Sequence, residues 1–145
     1  HGRGAGLMEA AEKTFLANLD TLPAIVGFVS EHAAAMGVHP KRVMHLELAV
    51  EEAAVNICSY AYEIAPGAVT VRITPEPGVV RIELIDNGVP FDPLSMDAPD
   101  IKSELENREV GGLGIFLIRR MLDEVHYSRR GDQNILSLAV RHDEK

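Results

Sequence analysis

Three short segments hold residues whose types and spacing suit nucleotide chemistry. Glu52 and Asn56 stand four residues apart in a helical stretch, Asp86-Asn87-Gly88-Val89-Pro90-Phe91-Asp92 follows an apolar strand-like run, and Gly111-Gly112-Leu113-Gly114 opens another apolar stretch. On a helix, positions i and i+4 lie about 40° apart around the axis and one turn apart along it, so Glu52 and Asn56 share a face. An amide oxygen is a neutral hard ligand that suits magnesium, an ion that keeps most of its other positions for water and phosphate. A carboxylate one turn earlier can take a proton from a hydroxyl or a water. Glu51 points about 100° away and cannot share that role. Asp86, at a strand end, can accept a hydrogen bond from an exocyclic amino group such as adenine's, where guanine presents a carbonyl. Pro90 and Phe91 can wall a base, and the glycines at 111, 112 and 114 let backbone approach a phosphate at a helix start.

Each segment also has an ordinary structural reading. Glu52 can be a solvated acid, Asp86 a turn residue capping its own backbone, Phe91 a core side chain and the glycines a plain loop. No Gly-Lys-Ser or Gly-Lys-Thr follows the glycines, so they are not a P-loop. No Gly-x-Ser-x-Gly elbow occurs, and the six histidines show no metal spacing with Cys58, which argues against zinc.

The elements that must position these residues follow from hydrophobic period. Phe15, Ala17 and Leu19 alternate and predict a strand over residues 13–19. Asp20 or Thr21 is expected to cap a helix with Pro23 in its first turn, ending near Met36 at Gly37. Val43, Leu46, Val50, Ala53, Ile57 and Tyr60 recur at three- and four-residue steps and predict a long amphipathic helix over residues 41–61. Val69, Val71 and Ile73, then Val80, Ile82 and Leu84, predict a hairpin around Pro75-Glu76-Pro77-Gly78 with one face buried. Residues 93–110 hold no steady period and read as a functional or mobile loop. A short helix is expected over residues 114–123, then a last hairpin of residues 124–130 and 134–141 around Gly131-Asp132. The order of elements implies an α/β (α+β) two-layer sandwich: a mixed, mostly antiparallel sheet with helices on one face.

Bulk properties bound the function. The chain has 145 residues, 46% of them hydrophobic and 25% charged, which suits one soluble domain. Residues 1–7 read as a tag remnant and residues 8–145 as the domain. A net charge of −8 argues against general nucleic-acid binding, which needs a basic surface. A single cysteine fits a reducing compartment such as the cytoplasm, and neither a membrane span nor a signal peptide is expected.

In this order the segments resemble those of the anti-sigma-factor serine kinases, bacterial regulators with a histidine-kinase-like (GHKL) ATPase fold. Leu48-Ala49-Val50-Glu51-Glu52-Ala53-Ala54-Val55-Asn56 looks like the family's N box, Ile85 to Asp92 like its first glycine box, and Gly112-Leu113-Gly114-Ile115 like its second. The resemblance implies the roles that follow. Glu52 would be the general base for a serine hydroxyl, and Asn56 would hold magnesium. Asp86 would read the adenine amino group of ATP, with Gly88 allowing the base to approach and Phe91 beside it. Gly112, Leu113 and Gly114 would lie against the phosphates under a lid formed by residues 93–110. Ser137 falls where the family often carries a hydroxyl near the adenine. The implied substrate is a STAS-type anti-sigma antagonist, and the second partner is a sigma factor. Members are often dimers. Tyr60 and Ala61 stand where many members have His-Gly, and Val110 stands where a basic residue is frequent. These departures motivate the alternative of an ATP-binding partner-switch module with little or no kinase activity.

Overall fold

Strict two-residue alternation builds the centre of the molecule. In the computed structural model, which describes residues 9–58, 67–90 and 119–141, β2 (Ala68–Glu76) and β3 (Val79–Asp86) pair antiparallel through a tight turn at Pro77-Gly78. Val69, Val71, Ile73, Val80, Ile82 and Leu84 all point to one face and are fully buried. Outside them lie β1 (Ala11–Leu16), β4 (Glu124–Arg130) and β5 (Gln133–Arg141). The sheet order is β1-β2-β3-β5-β4, and every pairing among these strands is antiparallel. The expected mixed or antiparallel sheet is thus antiparallel among the described residues.

Two helices cover the apolar face. α1 (Leu22–Ala35) buries Ile25, Val29 and Ala33, and α2 (Pro40–Asn56) buries Leu46, Ala49, Val50 and Ala53 in the same core as the strand residues. The opposite face of the sheet is polar. There Arg72 bridges Glu12 and Glu83, and Arg81 bridges Glu76 and Glu124. Partly exposed pairs of this kind add little stability each.

The first strand ends three residues earlier than its alternation suggests. Asn18 turns the chain: its Oδ1 accepts from the Thr21 amide at 3.1 Å and the Thr21 hydroxyl at 2.9 Å, capping a 3-10 turn at Leu19–Thr21. Phe15 and Ala17 stay buried, while Leu19 swings out and is half exposed. Thr21 does stand at the cap position of the helix that follows, as expected, but its side chain makes no capping bond there; its hydroxyl donates back to Asn18, which caps the 3-10 turn. α2 is capped by its own leader, His39, whose Nδ1 accepts from the Lys41 amide.

The C-terminal hairpin turns at Gly131, whose φ of 61° lies in the left-handed region. Its approach is anchored to α2. Arg42 donates to the Met121 carbonyl at 2.9 Å and to Asp123 Oδ2 at 2.6 Å, and the same oxygen accepts from the Arg141 amide. Residues 119–121 are helical and 122–123 are not; residues 114–118 of the expected helix, the loop expected at 93–110 and residues 59–61 of the helix expected over 41–61 lie outside the described residues. No helix among the described residues is long and apolar enough to cross a membrane.

Gly27 is the weak point of α1. A Cβ built there meets nothing within 4 Å, and its φ is not positive. Replacing Gly27 by alanine is expected to stabilise the protein by about 0.5–1 kcal/mol, since alanine loses less backbone entropy in a helix interior. A thermal melt checks this, and a lower midpoint would show that the position needs glycine for another reason.

Candidate functional site

The end of α2 carries a buried amide with nothing to bond. Asn56 is 1% exposed, and neither its Oδ1 nor its Nδ2 has a hydrogen-bond partner among the described residues. Around it Ala53, Ala54 and Ile57 are apolar and buried. Buried amides are nearly always paired, and an unpaired one costs about 1–3 kcal/mol. The helix also changes pitch here, widening into a π-type turn at residues 57–58. Such turns are frequent at functional sites. Glu52, one turn earlier, is partly buried, whereas Glu51 is exposed. The two acids therefore differ in environment as their angular separation predicts.

Asp86 closes β3 on the helix-facing side of the sheet and is 2% exposed. Burial among apolar strands pushes its pKa up. Hydrogen bonds from Asn134 and the Gly88 amide, and the charge of Arg129, pull it back. Both hydrogen bonds fall on one oxygen: Oδ1 accepts from the Gly88 amide at 2.8 Å and from Asn134 Nδ2 at 3.0 Å. Oδ2 takes no hydrogen bond from the described residues. Gly88 itself is buried, and its carbonyl accepts from Arg129 at 2.9 Å. The ordinary reading of Asp86 as a turn cap is correct for one oxygen and leaves the other spare.

Asn134 is the residue beside Asp86 at the candidate site that the sequence reading did not single out. It lies directly across from Asp86 in the β3–β5 register. The signal was present: Asn134 breaks the alternation it begins, because Leu136, Leu138 and Val140 share its face and are buried apolar residues. Ser137 was assigned instead, and the structure does not bring it to Asp86. Ser137 pairs with Glu83, an odd step from Asn134, so it points to the other face of the sheet. Its hydroxyl accepts there from Arg81. Phe91, Gly112, Leu113, Gly114, Tyr60, Ala61 and Val110 lie outside the described residues.

Asp86, Gly88 and Asn134 are joined by hydrogen bonds. Glu52 and Asn56 share the last turns of α2, which packs on that same face of the sheet. A family model for the histidine kinase-like ATPase domain matches residues 15–140, a span that includes both groups. The chain belongs to this family. Within the histidine kinase-like ATPases it is similar to the serine/threonine-protein kinase BtrW of Bordetella bronchiseptica, with 31% identity over 94 residues, 64% of this chain and 66% of the relative. It is also similar to the serine-protein kinase RsbW of Bacillus cereus, with 30% identity over 97 residues, 64% of this chain and 61% of the relative. The matched region thus spans somewhat less than two thirds of these relatives' length. A solved chain with RsbU and RsbW domains from Mycobacterium tuberculosis superposes with a TM-score of 0.64 over 92% of this chain and 32% of its own length. At 15% identity that likeness shows a common fold. The α+β sandwich, with helices packed on a sheet that is antiparallel among the described residues, is the histidine kinase-like ATPase fold.

Proposed function

We propose that the chain binds ATP with magnesium and acts as a protein serine/threonine kinase and anti-sigma regulatory factor, whose substrate is a STAS-type antagonist. The observation that carries this reading is the buried, unpaired amide of Asn56. A fold that tolerates such a group at the end of its second helix is compensated when a ligand supplies the missing partner. An amide oxygen fits magnesium, and the ion when bound neutralises phosphate charge. The names of the similar kinases support the activity, and the family supports the use of ATP.

The chain's own residues then divide the work. Asp86 Oδ2 accepts from the exocyclic amino group of adenine, with Gly88 leaving room for the ring. Glu52 takes the proton of the attacking serine hydroxyl. Phosphoryl transfer asks the protein mainly for positioning and charge neutralisation, so a small set of fixed groups suffices. Gly112, Leu113 and Gly114 belong to the phosphate side in this reading, and Phe91 to the base side. A sigma factor is the second partner, and the cytoplasm the expected location. A homodimer would fit the family's habit. The alternative, a nucleotide-gated binding module with little catalysis, is motivated by Tyr60 standing where many members have His.

Replacing Asn56 by leucine tests the carrying observation. The nucleotide-free variant is expected to be more stable by about 1–2 kcal/mol, because an unsatisfied amide gives way to an apolar side chain of similar size. Mg-ATP binding followed by calorimetry should be lost. A destabilised variant would mean that the amide has a structural partner, and unchanged Mg-ATP affinity would remove Asn56 from the metal site. Pull-down from native extract with and without Mg-ATP, followed by phosphosite mapping, separates kinase from module. A retained partner carrying new phosphoserine supports the first, and nucleotide-dependent retention without label supports the second.

A further inference from the structure

Asn134 has every hydrogen-bonding position of its amide in use. Its Oδ1 accepts from the Tyr127 hydroxyl and from Arg129 Nη1 at 3.2 Å. Its Nδ2 donates to Asp86 Oδ1 at 3.0 Å and to the Val89 carbonyl at 2.9 Å. A guanidinium only donates, so Arg129 fixes which end of the amide faces β4. A flip would set Nδ2 against Arg129 and leave Asp86 facing an oxygen. Arg129 Nη1 also holds the Gly88 carbonyl at 2.9 Å, so the carbonyls of Gly88 and Val89 are both tied to the last hairpin. The residues involved sit in register: Asp86 opposite Asn134, and Asn134 opposite Arg129.

We infer that Asn134, clamped by Tyr127 and Arg129, is a positioning and specificity-determining residue for base recognition: it occupies Asp86 Oδ1 and leaves Oδ2 as the one oxygen able to accept from a purine amino group. This rests on the reading of Asp86 as the residue that recognises the base. Its consequence is chemical selectivity. With Oδ1 saturated by two donors, the carboxylate offers the ligand a single acceptor of fixed direction. A purine with an amino group at that edge completes it. A purine with a carbonyl there brings lone pair against lone pair. Without Asn134 the carboxylate can rotate about its last torsion and share its hydrogen bonds differently, so selectivity falls along with affinity.

The test compares Mg-ATP with the magnesium salt of purine riboside triphosphate, which lacks the amino group, by calorimetry on the full chain. The intact protein is expected to prefer ATP by about tenfold or more, the worth of one hydrogen bond to a charged group. Asn134→Ala should lose about tenfold for ATP and less than twofold for the purine analogue. Tyr127→Phe removes one hydroxyl from the clamp and should show the same selectivity with a smaller loss. It carries the test should Asn134→Ala melt near room temperature. Equal losses for both nucleotides would make Asn134 a structural residue only and overturn the inference while sparing the Asp86 reading. Unchanged ATP affinity in both variants would also overturn it. If the intact protein fails to distinguish the two nucleotides, the reading of Asp86 itself falls and the inference falls with it.

Discussion

Replacing Asp86 by asparagine is expected to weaken ATP binding by about ten- to a hundredfold, to favour inosine triphosphate over ATP, and to raise the stability of the nucleotide-free protein. All three follow from one geometry. In the intact protein Oδ1 is held by the Gly88 amide and by Asn134 Nδ2, both donors. An asparagine at 86 has a single oxygen, and those two donors claim it. Its NH2 is then turned to the position of Oδ2, where it meets the adenine amino group donor to donor. The lost charge-assisted hydrogen bond accounts for about 1.5–3 kcal/mol. A base with a carbonyl at that edge finds a donor where the carboxylate offered only lone pairs. Competition of ATP and inosine triphosphate for the variant measures this directly, and an unchanged preference would remove Asp86 from base recognition.

The stability change carries a pH signature. Burial raises the pKa of Asp86, so the folded chain holds this proton more tightly than the unfolded chain. The stabilisation that comes with a bound proton is fully present below the ordinary carboxylate range and is lost as pH rises through the raised value. Above that raised value the intact protein carries a buried charge that Asp86→Asn does not. The variant's advantage in melting temperature should be largest there and should narrow as pH falls towards the ordinary carboxylate range. Taking the difference between the two proteins cancels the other carboxylates. An advantage that grew on acidification would contradict the burial argument.

How much of this was legible in the sequence depends on the range of the information. The hairpin of β2 and β3 was plain, because Val69, Val71, Ile73, Val80, Ile82 and Leu84 carry the pleat period locally and a turn sequence separates them. The cap at Asn18 was not legible. Thr21 and Asp20 are equally good capping residues by type, and only the 3-10 turn decides that the Thr21 hydroxyl donates rather than accepts. Asn56 stood out by its four-residue spacing from Glu52 and Asp86 by its place at the end of an apolar strand, and both proved buried. Asn134 was overlooked in favour of Ser137, three positions further along the strand. An odd step on a strand changes its face, and the pairing of β5 with β3 places Asn134 beside Asp86. That pairing joins residues about fifty positions apart, a range at which single-sequence periodicity carries no register.

The largest loss is expected from Glu52→Gln. A general base is worth about a hundredfold to ten-thousandfold in rate. Glutamine keeps the size and the polar atoms of the side chain and removes only its ability to take a proton. Phosphate transfer to the serine substrate should fall by that factor, while Mg-ATP affinity stays within about twofold, because in the proposed reading Asn56 and Asp86 carry nucleotide binding. Two features of the helix make the test clean. Glu51 is the neighbouring acid but is exposed and points about 100° away around α2, so Glu51→Gln should leave transfer intact. Asn56 lies one turn on, so a drop in affinity with Glu52→Gln would signal disturbance of the helix end rather than loss of a base. Single-turnover transfer of labelled phosphate to the antagonist recovered by pull-down separates these outcomes. Equal transfer by the intact protein and Glu52→Gln would refute the base assignment, and no transfer by either would favour the nucleotide-gated module. Loss in Glu52→Gln alone, with Glu51→Gln active and ATP still bound, is the result that a proton acceptor on this one face of α2 requires.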